Sequence, residues 1–179
     1  ARLGLAVPAY VPESEVSTIA DLAKPEVREK MGGAIQGIDP NSGIMSLTPE
    51  AMDAYGLGSY DLKEGTGPLM AKNLGEAIEN REWTVVTAWT PHWKFAEHDL
   101  RFLDDPKDVY GGEEEVHALV RNGFTGDYPK VAGFLERLNL DLDTLQGLMA
   151  DAKDMGHRNA VMKFVNSNRD KVGYWLNGE

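Results

Sequence analysis

The sequence contains no cysteine among its 179 residues. Thiol catalysis, cysteine-based zinc sites and disulfide bonds are therefore excluded. Basic residues are also scarce, because 18 lysines and arginines stand against 29 aspartates and glutamates, which gives a net charge of −11. Such a chain repels polyphosphates and anionic lipids over the range of a Debye length. Nucleic acid is therefore not an expected partner.

Long hydrophobic runs are missing as well. No stretch approaches the ~18 consecutive apolar residues that a membrane span needs. The sequence as given also opens without the charged region, apolar run and cleavage site of a signal peptide. What remains is the composition of an ordinary globular domain, 42% hydrophobic and 26% charged. We expect a soluble protein with a substantial core.

Segments typical of strands and helices alternate through the first half of the chain. Runs rich in apolar and β-branched residues predict strands at 3–7, 34–38, 60–63, 84–88, 100–103 and 116–120. Thr48, followed by Pro49, is the predicted N-cap of the helix after the second strand. Four helices are predicted near the end of the chain, at about 129–138, 142–153, 158–167 and 169–176. Repeated strand–loop–helix units predict a parallel sheet covered by helices.

Ligands of open sheets of this kind collect beyond the carboxyl ends of the strands. Three loops fall there, at 39–43, 65–68 and 89–93. The first is dense in turn-forming residues, and its candidate ligand contacts are Pro40, Asn41, Ser42 and Gly43. The second contributes Thr66 at the start of a helix, where backbone N–H groups can bind an anion, although helix capping alone also explains the residue.

The third loop follows a strand that ends in two indoles, a hydroxyl, a proline and an imidazole. Trp89 and Trp93 lie at or beyond the end of this strand, where an indole usually meets a ligand or the edge of a cleft. The ring face of an indole attracts a quaternary ammonium ion, which cannot hydrogen-bond. The alternative is that both indoles fill an interface between lobes.

Motifs for other chemistry are absent. His98, His117 and His157 lack zinc-site spacing, and the acidic runs are typical of solvated turns. We therefore expect no metal and no cofactor. A second hypothesis is a small periplasmic enzyme that uses His92 as general base together with Asp39, and product formation from betaine-like compounds would favour it.

Four segments resemble the glycine betaine and proline betaine substrate-binding proteins of osmoprotectant ABC importers. They are Gly-Ile-Asp-Pro-Asn-Ser-Gly-Ile-Met at 37–45, Val-Val-Thr-Ala-Trp-Thr-Pro-His-Trp at 85–93, Leu-Arg-Phe-Leu-Asp-Asp-Pro at 100–106 and Val-Gly-Tyr-Trp-Leu at 172–176. The resemblance implies a box of aromatic rings around a trimethylammonium group, with Trp89 as a box residue. It also implies that His92 either donates to the ligand carboxylate or fixes the loop. Some members carry another box tryptophan at the first loop, where this chain has Asn41 or Ser42.

The resemblance implies a type II periplasmic-binding-protein fold with two α/β lobes. Residues 8–85 are then expected to form one complete parallel-sheet lobe, and 1–7 with 86–179 to supply the helical C-terminal part of the second lobe. The N-terminal half of that second lobe is expected to be missing from this chain, so a second polypeptide or protomer is a possible partner. The other implied partners are a small quaternary ammonium ligand and a separate ABC permease, in a periplasmic or other extracytoplasmic location.

Overall fold

The computed structural model describes residues 1–178, which form two compact units. Unit 1 comprises residues 1–90 and 97–114, and unit 2 comprises residues 91–96 together with the chain from 115 onward. Within the described residues no helix is long and apolar enough to cross a lipid bilayer.

Unit 1 is built on one five-stranded sheet. Its strands are β1 (Arg2–Pro8), β2 (Ala34–Gln36), β3 (Asp61–Lys63), β4 (Val85–Thr90) and β5 (Leu100–Phe102). Their order across the sheet is β3-β2-β4-β1-β5. The pairs β2–β3 and β2–β4 are parallel, whereas β1 is antiparallel to both β4 and β5. The predicted sheet is thus parallel in one part only, because β1 enters it in the opposite direction.

The centre of this sheet explains the continuous apolar runs in the sequence. In β1 the residues from Gly4 to Pro8 are buried, and five of the six residues of β4 are buried. Strands covered on both faces lack the alternation of polar and apolar residues that marks a half-exposed strand. These two strands therefore hold the core of unit 1.

Helical segments of unit 1 connect the strands. They are a 3₁₀ helix at Ile19–Ala23 and the α-helices α1 (Pro25–Lys30), α2 (Gly43–Ala54) and α3 (Gly67–Glu79). The predicted N-cap at Thr48 is wrong, because α2 begins earlier with Ser42 as N-cap and continues through Pro49. Thr48 is instead buried inside the helix, where its hydroxyl donates to the Ile44 carbonyl at 2.8 Å.

Unit 2 contains helices and no strand within its described residues. The helices are α4 (Lys94–Glu97), whose last residue belongs to unit 1, α5 (Phe124–Asp127), α6 (Pro129–Arg137), α7 (Leu142–Met155), α8 (His157–Ser167) and α9 (Arg169–Asn177). The last four helices agree with the sequence prediction to within two residues. Helix α7 packs on α8 and α6 on α9, and the ring of Phe164 stacks on that of Trp175 with centroids 6.0 Å apart.

The predicted strand at 116–120 is wrong. This segment has no regular secondary structure, and the side chains of Val116 and Leu119 are 76% and 94% exposed. A strand requires a neighbour to satisfy its backbone groups, and unit 2 provides none.

The two units also divide the chain differently from the predicted lobes. The prediction placed residues 1–7 and 86–90 with the second lobe, whereas β1 and all of β4 belong to the sheet of unit 1. The reason is the antiparallel pairing of β1 with β4, in which five residue pairs extend along most of both strands. That unit 2 is the helical part of a second lobe stays a prediction.

Candidate functional site

The parallel part of the sheet brings two of the three candidate loops to one edge. Strands β2 and β3 run in the same direction, so residues 37–42 and 64–66 leave the sheet at the same edge. Gly37 N–H donates to the Lys63 carbonyl at 2.8 Å, and Gly65 N–H donates to the Ile38 carbonyl at 3.1 Å. The two loops are therefore held together beyond the ends of the strands, and β4 also ends at this edge because it is parallel to β2.

Gly37 is required by close packing at this edge. A Cβ atom there would lie 2.6 Å from the Met45 Sδ atom and 2.8 Å from the Lys63 carbonyl oxygen. The same Met45 sulfur accepts a hydrogen bond from Ile38 N–H at 3.4 Å. This contact fixes the start of α2 against the end of β2, and the resemblance of the 37–45 segment, which includes both residues, did not predict it.

The loop at 39–43 is an internally bonded turn. The Asp39 carboxylate accepts from the backbone and side-chain amides of Asn41 at 2.9 and 3.1 Å, and the Ser42 hydroxyl donates to the Asp39 carbonyl at 2.7 Å. Pro40, Asn41 and Gly43 are exposed. Ser42 makes no side-chain cap to α2, whose first N–H groups have no partner within the helix.

Thr66 acts as an N-cap. Its hydroxyl accepts from Leu69 N–H at 3.3 Å at the start of α3. The capping interpretation is therefore correct for its side chain. A depression of about 340 Å³ lies beside it, lined by residues that include Gly37, Gly65 and Asn73.

Trp89 lies next to the carboxyl end of the central strand β4. It pairs with Leu3 of β1, and it is the one residue of β4 that is not buried. The backbone at Trp89 is thus fixed by its pairing with β1, while the indole is partly accessible.

His92 is buried and neutral. Its Nδ1 atom accepts a hydrogen bond from the Lys94 backbone N–H at 3.0 Å, which places the ring hydrogen of the neutral form on Nε2. Burial, and then the positive charge of Lys94, lower the pKa of His92 to about 4. At neutral pH the imidazole can therefore donate from Nε2, but it is a weak base.

Lys94 is a member of this segment that the sequence did not single out. Its side chain is fully buried, and burial lowers its pKa to about 7. Lysine is rarely buried, so nothing in the sequence pattern indicated this position. The ammonium lies 5.7 Å from the centre of the Phe95 ring.

Trp93 is in contact with a cation of its own unit. The Lys153 Nζ atom lies 4.0 Å from the centre of the indole, and the His92 ring lies 5.0 Å away at a tilt of 37°. Lys153 belongs to α7, far along the chain, so the sequence alone did not predict the pair.

A family comparison decides what this arrangement belongs to. The model of OpuAC, the substrate-binding domain of ABC-type glycine betaine transport systems, matches residues 1–167. The chain belongs to the OpuAC family. The resemblance found in the sequence is thereby confirmed.

Relatives of this OpuAC-family chain agree. It is 35% identical over 159 residues to the glycine betaine/carnitine transport binding protein GbuC of Listeria monocytogenes, a match that covers 87% of this chain and 53% of GbuC. Among solved structures, the glycine betaine/L-proline-binding protein ProX of Borrelia burgdorferi is 35% identical with a TM-score of 0.76, over 98% of this chain and 65% of ProX.

A second structure confirms the fold class. Lactococcal OpuAC, solved in its closed form with glycine betaine, is 28% identical with a TM-score of 0.79, over 98% of this chain and 67% of OpuAC. The type II periplasmic-binding-protein fold is therefore confirmed. The chain spans about half the length of GbuC and about two thirds of the solved relatives.

Proposed function

We propose that this OpuAC-family chain is the extracytoplasmic solute-binding component of an ABC importer and captures glycine betaine or a related quaternary ammonium solute. The observation that carries the proposal is Trp89, a partly exposed indole held by the central strand at the edge of the sheet where the candidate loops meet. An indole face binds a quaternary ammonium ion that cannot hydrogen-bond to polar groups. Relatives named for glycine betaine support this ligand class.

The negative end of such a ligand needs hydrogen-bond donors. We assign this role to His92 through its Nε2–H, or to the backbone N–H of Gly43, the first residue of α2. A neutral imidazole can donate one hydrogen bond to a carboxylate. This suits a chain with few basic residues and a net charge of −11, because the contact needs no positively charged side chain.

The enzyme hypothesis is less well supported. A general base works best with a pKa near the operating pH, whereas the pKa of His92 is about 4. The proposed partner, Asp39, already accepts two hydrogen bonds within its own turn. We therefore propose a binding protein without turnover.

Calorimetric titration with glycine betaine tests the proposal. We expect micromolar-range affinity, and we expect Trp89→Ala to weaken binding by at least about 30-fold, the value of a desolvated cation–π contact. Trp83→Ala is the matched control, because Trp83 is a partly exposed indole just before the opposite end of the same strand and its ring is covered by Lys30 at 4.4 Å. Unchanged affinity in Trp89→Ala with native circular dichroism would refute the assignment.

The proposed partners are an ABC permease and a second polypeptide or protomer that covers the apolar surface of unit 2. Unit 2 exposes thirteen of the fourteen large apolar side chains that are exposed in residues 1–178. Apolar surface concentrated in this way marks an interaction site. Sedimentation equilibrium of the purified chain tests this part, since we expect a complex heavier than the 19.7 kDa monomer. A monomer at all concentrations would contradict it.

A further inference from the structure

Unit 2 contains an indole–ammonium contact of the kind proposed for the ligand. The Lys153 Nζ atom lies 4.0 Å from the centre of the Trp93 ring, well inside the ~6 Å limit for a cation–π contact. Trp93 lies in the aromatic segment that follows β4, and Lys153 lies in the last turn of α7. A cation is favoured in that last turn by the helix dipole.

The surroundings of this pair are apolar. A cavity of about 390 Å³ is lined by Trp93, Lys153 and residues of α7 and α8, among them Leu145, Leu148, Met149 and Val161. The apolar lining of the cavity is thus suited to a cation with apolar substituents. Lys153 itself is exposed and Trp93 is partly buried, so the lysine can leave the ring face without disturbing the packing of the helices.

One ring face holds one cation. A trimethylammonium group placed on the face of Trp93 that Lys153 covers would overlap the lysine Nζ atom, so the two cations exclude each other. The primary ammonium of lysine hydrogen-bonds strongly to water, whereas a quaternary ammonium does not. Exchanging lysine for a quaternary ligand on the indole therefore costs little hydration.

We propose that Lys153 is an internal competitor for the quaternary ammonium ligand, occupying the face of Trp93 in the ligand-free protein and leaving it when ligand binds. The inference rests on the proposed function, with Trp93, the second of the two indoles predicted to meet the ligand, as a contact of the ammonium group. The apparent affinity is then the intrinsic affinity reduced by the fraction of molecules in which the ring face is vacant. Lys153 would set the solute concentration at which the protein fills.

Removing the competitor is the direct test. Tetramethylammonium chloride is titrated into the wild-type protein and into Lys153→Met, and we expect the variant to bind about two- to fivefold more tightly. Lys130→Met is the control, because Lys130 is an exposed lysine of the same unit that does not line the cavity and its loss changes the net charge equally. In a Trp93→Leu background the substitution of Lys153 should have no effect.

Proton NMR follows the lysine itself. Ring current from Trp93 should shift the Lys153 ε-methylene protons upfield in the ligand-free protein, and saturating tetramethylammonium should return them toward the values of an exposed lysine. Equal affinity of wild type and Lys153→Met, or an upfield shift that persists in the bound protein, overturns the inference while leaving the proposed function intact. If neither protein binds tetramethylammonium or glycine betaine, the proposed function itself fails.

Discussion

The two units of this chain differ in how many of their apolar side chains are buried. Unit 1 holds 25 of the 28 buried hydrophobic residues, and Leu69 is its one large apolar side chain that is exposed among residues 1–178. Unit 2 buries Ala132, Ala160 and Trp175 and exposes thirteen large apolar side chains. In unit 1 the sheet and the helices that connect its strands enclose a core, whereas the segments of unit 2 leave most of their large apolar side chains exposed. Unit 2 therefore has a surface suited to a partner.

The largest expected effect comes from comparing a core residue of unit 1 with an exposed one of unit 2. Leu5→Ala, in the buried centre of β1, should lower the free energy of unfolding by about 2–5 kcal/mol, because it removes buried surface and leaves a cavity. Leu119→Ala should change it by less than about 0.5 kcal/mol, since that side chain is 94% exposed. Urea unfolding measures both. A comparable loss in Leu119→Ala would mean that the segment is covered in solution, and the contrast between the units would break down.

This contrast also explains which parts of the fold the sequence predicted. The closing helices were predicted well, because Asn, Asp or Gly separates each pair of amphipathic segments. The segment around Val116 is rich in apolar residues like a strand, but among the described residues of unit 2 no strand is available to pair with it. Local pattern therefore identified the elements, and tertiary context decided whether a strand formed.

At the candidate site the same limit applies. Trp89 was predicted from its position at the end of a strand, which is a local property. The burial of Lys94 and the contact of Lys153 with Trp93 depend on packing between distant segments, which no motif encodes. The position of Met45 against Gly37 was missed for another reason, since the helix that carries Met45 was predicted to start later.

The second prediction concerns the buried lysine of unit 2. Because burial lowers the pKa of Lys94 from 10.5 to about 7 in the folded protein, the unfolded chain binds more protons between these values. Stability should therefore rise with pH from about 7 toward 10, with a maximum slope of about 1.4 kcal/mol per pH unit. Well below pH 7 the Lys94 side chain is protonated in both states, so its contribution to the free energy of unfolding no longer changes with pH.

Lys94→Met should lack that slope. Urea unfolding of both proteins at several pH values from 6 to 10 gives the difference profile, in which tyrosine titration cancels because it is common to both. Parallel profiles would show that the Lys94 ammonium is not desolvated by folding. The same experiment distinguishes the two units. The buried lysine of unit 2 makes the free energy of unfolding depend on pH, whereas burial of apolar side chains in unit 1 does not.

The third prediction tests the packing at the edge of unit 1 where we propose that the ligand binds. Gly37→Ala should cost about 1–3 kcal/mol, because the new Cβ atom must displace the Met45 sulfur and the Lys63 carbonyl. Gly58→Ala serves as the control, since no atom lies within 4 Å of its Cβ position. Thermal unfolding ranks the two variants. A Gly37→Ala protein as stable as Gly58→Ala would show that the two loops can separate without cost.

The smallest expected effect is at the start of α3, where stability and ligand binding can be separated. Thr66→Ala removes the hydroxyl that accepts from Leu69 N–H and should cost about 0.5–2 kcal/mol, whereas Thr66→Ser keeps the hydroxyl and should cost less. If Thr66 only caps the helix, glycine betaine affinity of the folded Thr66→Ala protein should equal that of wild type. Weaker binding in Thr66→Ala but not in Thr66→Ser would instead assign the start of α3 to the ligand carboxylate, and unit 1 would then supply donors from two helices rather than one.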